Sequence, residues 1–336
     1  MPGGASLAMH RVTVTLANGD SARLVLRRSV RPEQIADDPS VAAHEAAVLQ
    51  LVERIATPTP RLIGVDPTGA LAGAPAVLMT ELPGRPEWAA GQRWMRQLVD
   101  VLADVHDIDP AAARVVRPFG VYAQDSYALP KWVTKPALWA RAIEIFQGPV
   151  LDDDQTFIHR DFYPGNVLWH RRAVSGLVDW EAASVGPRSM DVAHCRINLL
   201  YEGLDAADVL TQLWEQRTGR TFHRWADIAT IIGLLDAELS HPSARRKRFE
   251  IEATVQRAVD ELDGQYTAQN ARHHPYRRCA ITRVTAPGSR RSVLRCISQC
   301  SVCSMGARCA NRRTGTPLQL PRVGSSDSSG PQIVSR

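Results

Sequence analysis

Cysteine is almost missing from the first 270 residues: Cys195 stands alone there, and Cys279, Cys296, Cys300, Cys303 and Cys309 all follow. One thiol cannot build a disulfide framework, so the body of the chain must be held by buried apolar surface, and a reducing compartment is the simpler setting. Long apolar runs are lacking too. No eighteen-residue apolar stretch occurs, and Met1-Pro2-Gly3-Gly4 offers neither a charged leader nor an apolar one, which excludes a spanning helix and leads us to expect a soluble, cytoplasmic protein with no membrane partner. Acid is scarce at one end only. Residues 271–336 hold twelve Arg, no Lys and a single carboxylate, Asp327, leaving 28 basic against 34 acidic residues in 1–270, a net of −6 beneath an overall +5. The basic balance therefore belongs to the end of the chain and not to its body.

What the chain does carry is concentrated in Phe157–Glu181, FIHRDFYPGNVLWHRRAVSGLVDWE. It reads as a short strand, a polar loop opening His159-Arg160-Asp161, a second strand over Val167–Trp169, a turn, and a third strand ending Leu177-Val178-Asp179. Pro164-Gly165 forces a turn between Asp161 and Asn166, so both side chains can face one cleft. Asp179 follows Asn166 by thirteen residues, where a β-hairpin returns it beside that amide. A carboxylate and an amide oxygen then converge on one hard cation. Magnesium travelling with nucleotide phosphates suits so sparse an oxygen set, because the ion keeps waters and takes further ligands from the phosphates. Asp161 lies alongside, able to accept a proton from an attacking hydroxyl, which is the division of labour in kinase-type phosphoryl transfer. An isolated His-Arg-Asp or Asp-Trp-Glu is more often a solvated loop or capped turn. Three such positions at two matching intervals, each beside an apolar strand, are not explained that way.

Around this stretch the elements can be read in order. Arg11–Leu16 alternates, Asn18-Gly19 marks a turn, and Arg23–Arg27 alternates again, a hairpin signal. Asp38-Pro39 opens a helix whose apolar Val41, Val48, Leu49, Val52 and Ile55 lie near one face. Strands over Arg61–Val65 and Pro75–Thr80 flank the turn Asp66–Gly69, and Gln92–His106 places Trp94, Leu98, Val101, Leu102 and Val105 at helical spacing. His106 reads as a dipole partner or core residue, Leu138–Phe146 as a shorter helix, and Asp152-Asp153-Asp154 as a solvated turn. Leu199–Leu204, Ala206–Gly219, Trp225–Leu239 and Ile251–Leu262 complete a set of helices in which Trp214, Phe222 and Trp225 are expected in the core. Beyond about residue 270 periodicity vanishes, and Cys296-x3-Cys300-x2-Cys303-x5-Cys309 lacks the second knuckle or His pair of a zinc site.

His159–Asn166 together with Val178-Asp179-Trp180-Glu181 resembles the aminoglycoside phosphotransferase and choline kinase branch of the protein-kinase-like fold, over roughly residues 3–265. Trp180-Glu181 stands where protein kinases carry Phe-Gly, and no Ala-Pro-Glu follows, a departure that favours a small acceptor over a protein. The resemblance implies an α+β, two-lobe fold: a small antiparallel N-terminal lobe with one helix over 1–82, a larger, mainly helical lobe over 83–268, and a disordered Arg/Cys-rich tail over 269–336. It implies ATP or GTP as co-substrate and Mg2+ as cofactor, with Asp161 catalytic, Asn166 and Asp179 on the metal, and Glu181 assisting the metal through water. Arg27 takes the place of the phosphate-binding Lys and pairs with Glu45. Gly3, Gly4 and Ser6 occupy the place of the turn over the phosphates, and one more strand is expected before it. Backbone near Met79 and Leu82 reads the nucleobase, Met79 itself being core packing. His159 and Asp191 support the catalytic loop, Asp191 through backbone N–H groups.

The implied activity is transfer of a γ-phosphoryl group to a hydroxyl of a small molecule by a monomer or homodimer. An aminoglycoside-like acceptor suits an acidic body, with other alcohols open. Two rival readings are a catalytically silent nucleotide-binding protein, motivated by Arg27 and the missing strand, and an Arg-rich nucleic-acid binder acting through the tail; the tail has no interleaved aromatics for specific recognition.

Overall fold

The alternating run before Asn18 forms β1 (Leu7–Thr15), which pairs antiparallel with β2 (Ser21–Ser29) from Leu7↔Ser29 to Thr15↔Ser21. Between them the Leu16 N–H donates to the Asp20 carbonyl at 2.7 Å, and Gly19 takes φ +87°, a left-handed value that glycine reaches without cost. With β3 (Leu62–Asp66) and β4 (Ala76–Thr80) these strands make one antiparallel sheet in the order β1-β2-β4-β3. The computed structural model describes residues 7–89, 91–120, 129–148, 155–234, 246–273, 281–284 and 293–296. Gly3, Gly4, Ser6 and the Asp152–Asp154 run fall outside them. The chain divides into two units, Met1–Ala271 and Arg272–Arg336.

Two helices follow β2 where one was expected: α1 (Pro32–Asp37) and α2 (Val41–Val52). At six residues α1 is too short for an apolar period to show in the sequence. Helix α2 packs on β3 and β4 and buries Ala42, His44, Glu45, Ala46, Val48, Leu49 and Val52. Its two buried polar residues each have a partner: His44 Nε2 donates to the Ala183 carbonyl at 2.9 Å, and Glu45 accepts from Arg27 of β2.

The passage out of the sheet runs through Gly84 into β5 (Arg85–Pro86), which pairs antiparallel with the strand at Val167–His170. Gly84 holds φ +107°, and a Cβ there would lie 2.5 Å from Ser175 Oγ and 2.6 Å from the Trp169 carbonyl oxygen. Gly84→Ala is therefore expected to destabilise the protein by about 1–3 kcal/mol, seen as a lower urea midpoint with unchanged slope; an unshifted midpoint would show that the connector relaxes freely.

Helix α3 (Gln92–His106) runs between its predicted ends, with Trp94, Leu98, Val101, Leu102 and Val105 all buried. Beyond it come α4 (Pro136–Gln147), β6 (Gln155–Ile158), β7 (Val167–His170), β8 (Ala173–Leu177), β9 (Ser184–Pro187), α5 (Ser189–Tyr201), α6 (Ala207–Thr218), α7 (Trp225–Gly233) and α8 (Arg248–His273). Of the segment expected as a helix at Leu199–Leu204, only Leu199–Tyr201 is helical, as the end of α5, which begins ten residues earlier, and Glu202–Leu204 lie beyond it. Its first turns escaped the apolar count because Asp191 and His194 there face the His159–Asn166 loop rather than an apolar core. Strand β7 pairs with β8, and β6 pairs with the distant β9.

Trp139, Trp180, Trp214, Phe157 and Phe162 are fully buried, and Phe222 and Trp225 join the same core. Inside it Arg196 is a buried cation. Asp227 accepts from its Nε at 3.0 Å, the Ala207 carbonyl from Nη1 at 2.8 Å, and the Phe222 ring lies under the guanidinium at 4.9 Å. In the second unit β10 (Ile281–Val284) pairs antiparallel with β11 (Val293–Cys296). Cys279, Cys300, Cys303 and Cys309 lie outside the described residues. Among the described residues no helix is long and apolar enough to cross a membrane.

Candidate active site

Arg27 lies on β2 with 5 % of its side chain exposed, so its charge must be met by protein. Nη1 contacts Glu45 Oε1 of α2 at 2.7 Å; Nη2 contacts Asp179 Oδ1 and Glu181 Oε2, each at 2.7 Å. Burial works against the guanidinium's charge, and the Glu45, Asp179 and Glu181 carboxylates outweigh it and hold the proton more tightly than usual. Burial also pushes the Glu45 carboxyl up to about 7 against the pull of Arg27, and it raises Glu181. The ion pair that the sequence assigned to Arg27 and Glu45 is thus one arm of a four-residue knot whose other arm is the Asp-Trp-Glu turn.

That turn is placed by the β7–β8 hairpin, where Val167 faces Leu177 and the Val178 N–H donates to the Asn166 carbonyl at 3.0 Å. Asp179 then sits at φ +71°, an uncommon conformation for a residue with a Cβ, which the Arg27 contact helps to hold. Across the loop, Asn166 Nδ2 donates to the Asp161 carbonyl and to its Oδ2, both at 2.8 Å. With its NH2 so engaged, Asn166 has Oδ1 left to offer a cation. Among the described residues no group of three or more His, Cys, Asp or Glu side chains could hold a metal ion by itself. The donor set of Asn166 Oδ1 and the Asp179 and Glu181 oxygens fits a hard ion that draws its remaining ligands from phosphate and water.

The His159–Asn166 loop is gripped from behind. Asp191, wholly buried near the start of α5, accepts the His159 N–H at 2.9 Å and the Arg160 N–H at 2.6 Å. Arg160 stands at φ +69°, its guanidinium donating to the Gly120 carbonyl at 2.6 Å and lying over Phe119 at 5.0 Å. His159 Nε2 donates to the Val178 carbonyl at 3.0 Å while Nδ1 accepts the Asp161 N–H at 3.3 Å, so this buried imidazole ties the two loops together. Burial alone would raise Asp161. The hydrogen bond and charge of His194, the charge of His159 and the Asn166 amide outweigh it and hold the carboxyl below the usual range.

Met79, Leu82, Arg27, Asp161, Asn166, Asp179 and Glu181 all line one cavity of about 890 Å³, whereas Glu45, His159 and Asp191 stand behind its wall. Met79 is also buried in the core, as expected of it. Two residues at the site, His194 and Arg117, went unread in the sequence, and His106, read as a dipole partner or core residue, is buried with a partner that reading did not name. His194 Nε2 lies 3.0 Å from Asp161 Oδ1, His106 Nε2 lies 3.1 Å from Asp191 Oδ2, and Arg117 donates to both the Glu181 carbonyl and Asp38. For His194 one signal existed: it follows Asp191 by three residues, on the same side of a helix.

The model of the phosphotransferase enzyme family matches residues 9–228. No curated protein matches the chain. Among solved structures, aminoglycoside phosphotransferase APH(4)-Ia superposes with a TM-score of 0.52 at 12% identity, over 77% of this chain and 92% of that one. A thermostable mutant of it, in ternary complex with AMP-PNP and hygromycin B, gives 0.53 at 12% identity over the same shares, 77% and 92%. Macrolide 2'-phosphotransferase MphH from Brachybacterium faecium gives 0.48 at 18% identity over 75% and 93%. The APH(4)-Ia likenesses show a shared fold: an antiparallel N-terminal sheet joined to a helical lobe, as in the kinase-like proteins.

Proposed function

The chain belongs to the phosphotransferase enzyme family, whose model spans residues 9–228, and from that premise we propose that it moves the γ-phosphoryl group of ATP or GTP to a hydroxyl of a small molecule. The observation that carries this reading is the convergence of Arg27, Asp161, Asn166, Asp179 and Glu181 on one cavity. In it Asp161 receives or orients the proton of the attacking hydroxyl. Asn166 and Asp179 would hold Mg2+ with Glu181 assisting; when bound, the ion neutralises charge on the phosphates. Arg27, kept in place by Glu45, aligns those phosphates, and the backbone beside Met79 and Leu82 takes the nucleobase. Residues 1–82 serve the nucleotide and 83–268 the acceptor, with Gly3, Gly4 and Ser6 over the phosphates on the strength of resemblance alone. His159 and Asp191 keep the loop in shape. The AMP-PNP in the APH(4)-Ia complex supports a nucleoside triphosphate as donor. Catalysis here is positioning and charge stabilisation, with no covalent enzyme intermediate.

The acceptor reading starts from the helices that border the cavity. Among the described residues α4, α5 and α7 present Phe146, Met190, His194, Asn198, Ala229 and Thr230 there, and no carboxylate. An acidic body favours a polycationic amino sugar, but these helical side chains favour an uncharged alcohol on an apolar skeleton, because ammonium groups buried against them would go unpaired. The test is nucleoside diphosphate release by the full-length protein with Mg2+ and ATP or GTP, against separate pools of polycationic aminoglycosides, macrolactones and simple sugars. We expect acceptor-dependent release, at least tenfold faster with the uncharged or weakly charged pools, a difference of about 1.4 kcal/mol. Faster release with the polycations would overturn the acceptor class. Nucleotide binding without release would favour the silent rival, and neither binding nor release would end the kinase reading.

A further inference from the structure

Asp161 is held by one partner that its own loop does not supply. His194 Nε2 stands 3.0 Å from Asp161 Oδ1, while Asn166 Nδ2 stands 2.8 Å from Oδ2. Each carboxylate oxygen therefore receives a side-chain donor, and the plane of the carboxylate is fixed from two sides. His194 is itself fixed: the Tyr163 ring meets it edge-on with centroids 5.9 Å apart, and one turn further along α5 Asn198 Nδ2 donates to its backbone carbonyl at 2.9 Å. The imidazole borders the cavity with 16 % of its side chain exposed, so protons from solvent reach it. Several described groups bear on its charge. The catalytic loop presents Asp161 and Tyr163, with His159 behind Asp161; α5 adds neutral Asn198, α7 adds neutral Thr230, and Glu181 and Arg160 border the same cavity.

We propose that His194 is a positioning residue for phosphoryl transfer: neutral, its Nε2–H aims the Asp161 carboxylate at the acceptor hydroxyl; protonated, it neutralises that carboxylate and weakens it as a proton acceptor. This rests on the kinase reading, in which the acceptor oxygen bonds to the γ-phosphorus and gives its proton to Asp161. The bond from that phosphorus to the bridging oxygen breaks, and the nucleoside diphosphate leaves with its electron pair. His194 forms no bond in this step. Its influence passes through Asp161, and the rate should fall in acid as the imidazole charges.

The test uses full-length protein, Mg2+, ATP and whichever acceptor pool gives release. His194→Ala is expected to lower kcat roughly tenfold or more with nucleotide affinity unchanged. His194→Gln, whose amide nitrogen reaches about as far as Nε2, should recover most of that loss and also move the acidic limb of the kcat profile to lower pH, leaving only the titration of Asp161 itself, since an amide does not titrate. A packing role would not move that limb. Wild-type kcat in His194→Ala, or an acidic limb at the wild-type pH in His194→Gln, would overturn the proposal. A second measurement needs no acceptor: the imidazole signal of His194, assigned by its loss in His194→Gln, should titrate at lower pH in Asp161→Asn than in the wild-type protein. Transfer without that coupling would overturn the positioning role alone. Coupling in a protein that transfers to no acceptor would overturn the kinase reading, and the positioning role with it.

Discussion

Asp161→Asn should cut acceptor-dependent phosphoryl transfer by about 10²–10⁴-fold, the range that a positioned general base contributes, with nucleotide affinity unchanged. The variant removes the group that receives the proton, and it also disturbs the geometry. Asp161 accepts from His194 at Oδ1 and from Asn166 at Oδ2. An amide offers one acceptor and one donor in the same outline, so its NH2 must face either the Asn166 NH2 or the His194 Nε2–H, donor against donor. The carboxylate itself is held below its usual range by those same partners, so it is ionised and able to accept a proton at neutral pH. Nucleotide contacts are assigned to Arg27 and to the connector near Met79 and Leu82, which the substitution does not touch. Diphosphate release read beside calorimetric nucleotide binding separates the two effects. Transfer within tenfold of wild type would remove Asp161 from the chemistry.

The parts of this site that could be read from the sequence are those that local geometry encodes. The Asp161-to-Asn166 interval was legible because Pro164-Gly165 closes a turn between them. The return of Asp179 was legible because β7 and β8 alternate and are joined by a short turn, so hairpin register alone places Val178 on Asn166. Arg27 and Glu45 came from resemblance and not from spacing; eighteen residues and a change of element separate them, and no local rule joins a strand cation to a helix carboxylate. Partners set by tertiary packing stayed hidden. His194 and Asp161 are 33 positions apart, His106 and Asp191 are 85 apart, and a histidine on a helix carries the same local preference whether it ends in solvent or on a carboxylate. Asp38 shows the opposite case. It reads as a helix start, yet α2 begins three residues later with no side-chain cap from Ser40, and the Asp38 carboxylate instead takes the Ser40 N–H at 3.1 Å together with the guanidinium of Arg117. Local chemistry marked the approach to a helix, three residues early; the long-range arginine was invisible.

Asp191→Ala is expected to cost about 3–5 kcal/mol of stability, the range for removing one partner of a buried, hydrogen-bonded charge. The side chain is wholly buried and serves three donors: the His159 N–H at 2.9 Å, the Arg160 N–H at 2.6 Å and His106 Nε2 at 3.1 Å. Both backbone donors belong to a loop that turns back at Arg160, φ +69°, and so cannot pair with a neighbouring strand. Alanine leaves all three in a place that water does not reach, each stranded donor costing about 1–3 kcal/mol. The carboxylate also lies in the first turn of α5, where the helix dipole favours an anion. A melting temperature lower by roughly 10 °C is the expected reading, from about 2–4 °C per kcal/mol in domains of 150–250 residues. Asp191→Asn keeps the volume and one acceptor, so its loss should fall between wild type and alanine. Because Asp161 lies two residues beyond His159, transfer should drop even at temperatures where Asp191→Ala is folded. A melting point within 2 °C of wild type would mean that the loop finds its hydrogen bonds elsewhere, and that Asp191 does not hold the chemistry in place.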